Sequence, residues 1–147
     1  ELIYVKDFLE KSNEMAKVGA WELNAITNEL RWSKTTKEIH EVDQNYKVEL
    51  YQAIHFFKDG ESRERIQNLV ENSLKTGKSY DVELEMITAK GNHKWVRSIG
   101  ETQKINNKIV KLYGTIQDIT EQRNNIEKLS ISIPFAKVYS KLIVFNL

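Results

Sequence analysis

Apolar and polar residues alternate strictly through residues 80–88. Val82, Leu84 and Met86 fall on one side; Asp81, Glu83 and Glu85 fall on the other. A period of two marks a strand with one buried and one wet face. The turn Ala89-Lys90-Gly91-Asn92 leads into a second strand over residues 93–104, and Asn106-Asn107 turns the chain into a third over residues 109–117. In that third strand Leu112, Gly114 and Ile116 alternate with Lys111, Tyr113, Thr115 and Gln117. The period then changes. Asp118 is suited to cap a helix N-terminus, and Glu121, three residues on, is placed to close a capping box. Ile119, Gln122, Ile126, Leu129 and Ile133 follow at steps of three and four. The last strand is therefore expected to pass directly into an outgoing helix, an arrangement able to carry a change in the sheet to whatever follows.

Upstream, residues 4–17 read as an amphipathic helix with the stripe Leu2, Val5, Leu9, Ser12 and Ala16, widened by Phe8 and Met15. Such a stripe packs either on its own domain or between two subunits. Gly19 ends it. Strands over residues 20–24 and 29–33 flank the turn Ala25-Ile26-Thr27-Asn28, with Trp21 and Leu23 on one side, and Leu30 and Trp32 likewise. Ser33 or Thr35 caps a short helix holding Ile39, the pair Thr35 and Glu38 having box spacing. Leu50, Ala53, Ile54 and Phe57 mark a helix over residues 49–58, which Asp59-Gly60 breaks. Residues 61–76 form the clearest helix. Glu61 and Glu64 lie in its first turn, Ile66, Leu69, Val70 and Leu74 form its apolar face, and Gly77 stops it. The order is helix, two strands, three helices, three strands, helix, with no internal repeat: an α+β chain. Its expected division is an N-terminal helix at 1–17, a domain at 18–120, and an outgoing helix and tail at 121–147. Pro134 is expected to interrupt that helix; from Phe135 to Leu147 the pattern fits a helix or a strand equally.

Composition narrows the chemistry. At 147 residues the chain is long enough for one domain with a sizeable core. A net charge of +1 without a basic stripe argues against nucleic acid. The absence of cysteine removes disulfides, thiolate zinc sites, iron–sulfur clusters and cysteine nucleophiles, and suits a reducing cytoplasm. The apolar run Leu142-Ile143-Val144-Phe145 is too short to span a bilayer. Gly77-Lys78-Ser79 imitates the end of a phosphate loop, but Asn72 stands where a glycine is needed, and the helix precedes rather than follows. His40, His55 and His93 lack metal-ligand spacing, so no metal is expected. Glu83 and Glu85 share a strand face, where solvation or pairing with Arg97 outweighs an acid–base role. With no catalytic constellation, no enzyme activity is expected of the chain itself.

The motifs Gly19-Ala20-Trp21-Glu22-Leu23, Leu30-Arg31-Trp32-Ser33, Ser62-Arg63-Glu64-Arg65-Ile66, Gly77 with Tyr80-Asp81-Val82-Glu83-Leu84, Gly91 with Lys94-Trp95-Val96-Arg97, and Gly114 with Gln117-Asp118-Ile119-Thr120-Glu121 together resemble a PAS domain with a PAC-type ending. The resemblance runs from about Val18 to Arg123 and rests on order and spacing. It implies a five-stranded antiparallel sheet of order 2-1-5-4-3, with helices on one face, flanking N- and C-terminal helices, and a small cavity between helices and sheet. It also implies that Val96, Ser98 and Gly100 face the cavity, leaving Trp95 on the outer face beneath the N-terminal helix. Members act as sensor or dimerisation modules of signalling proteins, often histidine kinases, diguanylate cyclases or phosphodiesterases.

On that resemblance the ligand-pocket candidates are Trp32, Ile39, Ile54, Phe57, Leu69, Met86, Val96, Ser98, Leu112, Gly114 and Ile116, a mostly apolar set with little polar handle. Asp118, Thr120 and Glu121 are the expected relay, and Leu2, Val5, Phe8 and Leu9 the expected dimer interface. No cofactor is expected. Flavin–cysteinyl photochemistry needs a cysteine, and the haem-binding members' axial histidine is absent from residues 61–76; His55 is the one histidine placed to approach the cavity. Two functions follow: a cytoplasmic, homodimeric sensor of a small apolar ligand acting on an effector domain, or a dimerisation module with a filled core. An enzyme on a similar cup is a weaker third, for want of convergent polar residues.

Overall fold

The computed structural model describes residues 2–132, with side chains described from 5 to 129. Ile133, the break at Pro134 and the tail from Phe135 to Leu147 lie outside the described residues, as does the side chain of Leu2. The elements are α1 (Leu2–Met15), β1 (Val18–Asn24), β2 (Leu30–Trp32), α2 (Lys34–Ile39), α3 (Leu50–His55), α4 (Glu61–Thr76), β3 (Tyr80–Ile87), β4 (His93–Ile105), β5 (Lys108–Asp118) and α5 (Thr120–Ser132). The strands make one sheet in the order β2-β1-β5-β4-β3, antiparallel at every pairing. This is the α+β architecture, 2-1-5-4-3, that the resemblance implies.

Local chemistry explains the boundaries. Ser33 alone caps α2, its Oγ accepting from the Thr36 N–H at 3.4 Å, whereas Thr35 is buried and no Thr35–Glu38 box forms. Gly77 ends α4 in the left-handed region at φ 79° and donates to the Ser73 carbonyl, a conformation easily reached without a Cβ. Asn106 and Asn107, at φ 51° and 64°, make the β4–β5 turn. Residues 49–58 yield only the six-residue α3, because the chain leaves the helix at Phe56 to bridge the sheet edge. There Lys58 N–H donates to the Glu85 carbonyl at 3.0 Å and Ile87 N–H to the Phe56 carbonyl at 2.8 Å. Ser62 Oγ accepts from Glu85 N–H. These bonds cover the β3 edge, which would otherwise be open to another chain.

The core lies between the sheet and helices α2 to α4. Met86, Val96 and Leu112 are 0 % exposed at its centre, joined by Ile39, Ile66 and Val70 from the helices. Complete burial of such side chains contributes about 1.5–3 kcal/mol each. The face choice on β4 follows the expected parity, with Val96, Ser98 and Gly100 buried.

One surface expectation is corrected, and for Glu83 the solvated alternative holds, its side chain being 52 % exposed. Trp95 is covered by Arg123 of α5, whose guanidinium carbon lies 3.5 Å from the ring centroid, in the place expected of the N-terminal helix. The chain leaves β5 almost at Trp95 and carries Arg123 over it. α1 leaves Val5, Phe8 and Leu9 at 52 %, 62 % and 54 % exposure. Arg97 pairs with Asp81 (Nε to Oδ1 2.8 Å), although its register partner is Glu83. Glu83 binds Arg123 instead, and Glu85 binds Lys58 and His93. Long side chains on a twisted sheet reach diagonal neighbours as readily as direct ones.

Gly114 faces Gly100 across the β4–β5 ladder. A Cβ there would lie 1.7 Å from the Ile99 carbonyl oxygen, and backbone cannot yield as a flexible side chain does. Gly114→Ala is expected to destabilise the domain by roughly 3 kcal/mol, the upper end for overpacking, measured by urea unfolding. A loss below about 1 kcal/mol would show that the ladder can part there.

Candidate functional site

Between β1, β2 and the helices is a cavity of about 60 Å³. A water needs roughly 10–15 Å³ of such space, so the cavity accommodates a few waters or a very small molecule. Of the expected residues, Trp32, Ile54, Phe57, Ser98, Leu112 and Ile116 line it. Ile39, Leu69, Met86, Val96 and Gly114 do not. Ile39, Met86 and Val96 are consumed by core packing, and Leu69 is only partly buried against the same cluster. Gly114 has no side chain, and its inner side is filled by the Ile99 carbonyl. Apolar residues not expected there also line it: Trp21, Leu23 and Leu30 at the β1–β2 end, Leu50 and Ala53 on α3, Ile66 and Val70 on α4, and the ring of Tyr80. The pairing of Trp21 with Trp32 across the β1–β2 ladder was a signal for the first group: two strands with matched apolar faces and a short turn must bring them together.

Polar groups also line the cavity: Thr36, His40, Ser98 and Tyr80. His55, the histidine expected to approach it, instead lies tilted against Tyr51 with ring centroids 4.0 Å apart. His40 takes that place. It is 2 % exposed, stacks on Trp32 at 3.9 Å between centroids and meets Phe56 edge-on at 5.0 Å. Its Nδ1 lies 2.7 Å from the Thr36 carbonyl, which can only accept, so Nδ1 carries the proton. Burial holds the imidazole down to about 4 from an ordinary 6.5, opposed by the Thr36 bond and assisted by the Lys94 charge. The ring is neutral and Nε2 is an acceptor. Burial likewise pushes the Tyr80 phenol up to about 12, against a smaller pull from the Ser98 hydroxyl.

A second constellation begins beside His40. The Lys94 ammonium donates to the Ile39 carbonyl at 2.8 Å and lies 3.5 Å from the Asp118 carboxylate. Asp118 Oδ1 accepts from Thr120 N–H at 3.0 Å and from its hydroxyl at 2.7 Å. Thr120 Oγ1 also accepts from Trp95 N–H at 3.0 Å, and Ile119 N–H donates to the Trp95 carbonyl at 2.9 Å. The Thr120 hydroxyl thus replaces a backbone rung where β5 becomes α5. Burial, the largest influence on Asp118, pushes its carboxyl up, yet the Thr120 bonds and Lys94 together hold it below the usual range. Glu121 makes no bond back to Asp118 among the described residues, so the box reduces to the Asp118 half.

His40 is lowered on folding, so the unfolded chain takes up the proton first. Its contribution to stability is complete above pH 6.5 and is lost as pH falls toward 4, a change of about 3 kcal/mol. Unfolding measured from pH 7 to 4 is expected to show this extra loss in the wild type and not in His40→Phe. Equal slopes in the two proteins would mean that His40 gains its proton without disturbing the fold.

With this geometry in place, similarity to known proteins can be stated. Residues 29–116 match the family described as PAS fold. The chain is similar to a sensory box histidine kinase/response regulator from Burkholderia thailandensis, with a TM-score of 0.67 and 20 % identity, covering 88 % of this chain and 97 % of that one. It is also similar to the N-terminal domain of a diguanylate cyclase with PAS/PAC sensor from Marinobacter aquaeolei: TM-score 0.66, 14 % identity, 72 % of this chain and 98 % of that one. At these identities the likeness is one of fold. An uncharacterised protein of Sinorhizobium fredii is 38 % identical over 61 residues, which make up 41 % of this chain but 7 % of that relative. The five-stranded order, the central cavity and the match over residues 29–116 converge: the chain belongs to the PAS fold family, whose domains are sensory modules.

Proposed function

We propose that this domain senses a small molecule in its cavity and relays occupancy to α5 through Lys94, Asp118 and Thr120, with α5 leading to an effector of the kinase or cyclase type. The single observation that carries this reading is the position of Lys94. Its ammonium touches the Ile39 carbonyl, next to the cavity-lining His40, and also the carboxylate that caps α5. Exposed ion pairs contribute little, but the Lys94 and Asp118 side chains are 19 % and 11 % exposed. Displacing the Ile39–His40 turn therefore changes the balance at the helix cap. Ala53, a cavity-lining residue, offers a way to imitate occupancy. Ala53→Val is expected to change amide exchange in the first turns of α5 several-fold, and Lys94→Met to abolish that response. Exchange in α5 that ignores Ala53→Val would count against the relay.

A second reading, dimerisation, is supported by α1. Its residues Val5, Phe8 and Leu9 form an apolar face left exposed among the described residues, and α5 adds Ile126 and Leu129 at 64 % and 61 % exposure. A two-fold partner presenting the same faces would bury them. Sedimentation at micromolar concentration is expected to give a homodimer that becomes a monomer in Phe8→Asp/Leu9→Asp; a monomeric wild type would remove this reading and leave the relay standing.

A further inference from the structure

The cavity's polar groups differ in what they have left to give. The Thr36 hydroxyl donates to the Ala20 carbonyl at 2.8 Å and lies 3.1 Å from Ser33 Oγ. The Tyr80 and Ser98 hydroxyls lie against each other. His40 spends Nδ1 on the Thr36 carbonyl, while Nε2 has no partner among the described residues. No fully buried side-chain polar atom among them lacks a partner, so the 2 % of His40 that stays accessible includes Nε2. The ring cannot easily turn this atom away. The Trp32 stack, the Phe56 edge and the Nδ1 bond fix its plane, and the His40 carbonyl is itself held by Ala89 N–H at 3.0 Å. A nearly buried acceptor held in a set direction, in a wall otherwise apolar or already paired, selects for a donor.

We propose that His40 Nε2 is the recognition group of this cavity, selecting a small planar ligand with an N–H or O–H donor over an isosteric ligand without one. The inference rests on the sensory reading above and adds the ligand's chemical class. Size agrees with it. At about 60 Å³ and roughly 10–15 Å³ per water-sized sphere, the space holds one small ring. The flat, stacked surfaces of Trp32 and Trp21, the latter stacked on Tyr80, suit an aromatic one. Leaving a buried acceptor unpaired is what penalises the donor-free isostere, by about tenfold in affinity.

Pyrrole and furan are matched probes: both are five-membered aromatic rings, but only pyrrole carries an N–H. With the full chain labelled with ¹⁵N, titration of each is expected to show pyrrole binding about tenfold more tightly. Its binding is expected to move the His40 Nε2 resonance in the direction of an accepted hydrogen bond. His40→Phe, which keeps a flat ring and removes the acceptor, is expected to bind both rings alike. Equal affinities with an unmoved Nε2 resonance would overturn the role of His40 while leaving the cavity a ligand site. Failure of both rings to bind up to their solubility limits would overturn the small-molecule reading itself. If His40→Phe does not fold, the wild-type affinity ratio and the Nε2 shift decide the matter on their own.

Discussion

Asp118 ties together three parts of the chain that are far apart in sequence. Its N–H donates to the Lys17 carbonyl at 3.1 Å, where α1 hands over to β1. Its carboxylate caps the first turn of α5 through Thr120 and meets Lys94 of β4. A carboxylate this enclosed would raise its own pKa if it stood alone; it stays ionised because Thr120 supplies two donors and Lys94 a charge. The cap of α5 therefore depends on this residue remaining charged, whereas the tie to the end of α1 runs through its backbone alone. Removing Lys94 leaves a partly buried anion short of a partner, an uncompensated loss rather than the mild one of an exposed pair.

The other surface pairs do not compete with this. Arg97–Asp81 and Arg123–Glu83 are long side chains on the open face of the sheet, roughly half exposed on at least one side, where solvent screening leaves each a fraction of a kcal/mol. Arg123 adds more through the Trp95 ring than through Glu83. The cation over an aromatic face holds the first turn of α5 against the sheet and shields the tryptophan. Both contacts that dock α5, the Asp118–Thr120 cap and the Arg123 stack, thus bear on the same short stretch of β4, Lys94 to Val96.

The fold was legible because its strongest signals are local. Strict alternation gave β3 its faces, Gly77 its αL stop, and the change of period after Gln117 the strand-to-helix junction. The Asp118–Thr120 bond lies two residues apart in sequence and was accordingly foreseen. What escaped depends on contacts between distant segments. Lys94 reaches Ile39 across 55 positions, and Arg97 chose Asp81 over Glu83 because of sheet twist. His40 gave no periodic signal: one histidine after a six-residue helix reads as a surface residue until the Trp32 stack and the β3–β4 hairpin close over it. The split of apolar side chains between core and cavity was hidden for a related reason. Alternation says that Met86 and Ile116 face inward, and the resemblance implies the same for Ser98, but neither says which of them the helices cover completely.

That split has a mechanical consequence. The part of the interior around Met86 and Val96 is solid, with both residues at 0 % exposure, whereas the β1–β2 end is hollow. Close-packed interiors transmit displacement, and cavities absorb it. On the proposed relay, an empty cavity would let the Ile39–His40 turn settle inward without disturbing β4. On the same relay a filled one would remove that slack and load the turn's ties to the sheet, among them the Ala89 N–H on its carbonyl, Asn92 on the Glu41 carboxylate at 2.8 Å, and Lys94 on the Ile39 carbonyl. Two of these lead into the solvent-exposed β3–β4 hairpin turn. The third leads to Asp118. On the proposed relay, it is this third attachment that would join the cavity wall to the cap of α5, beside an interior packed solid at Met86 and Val96.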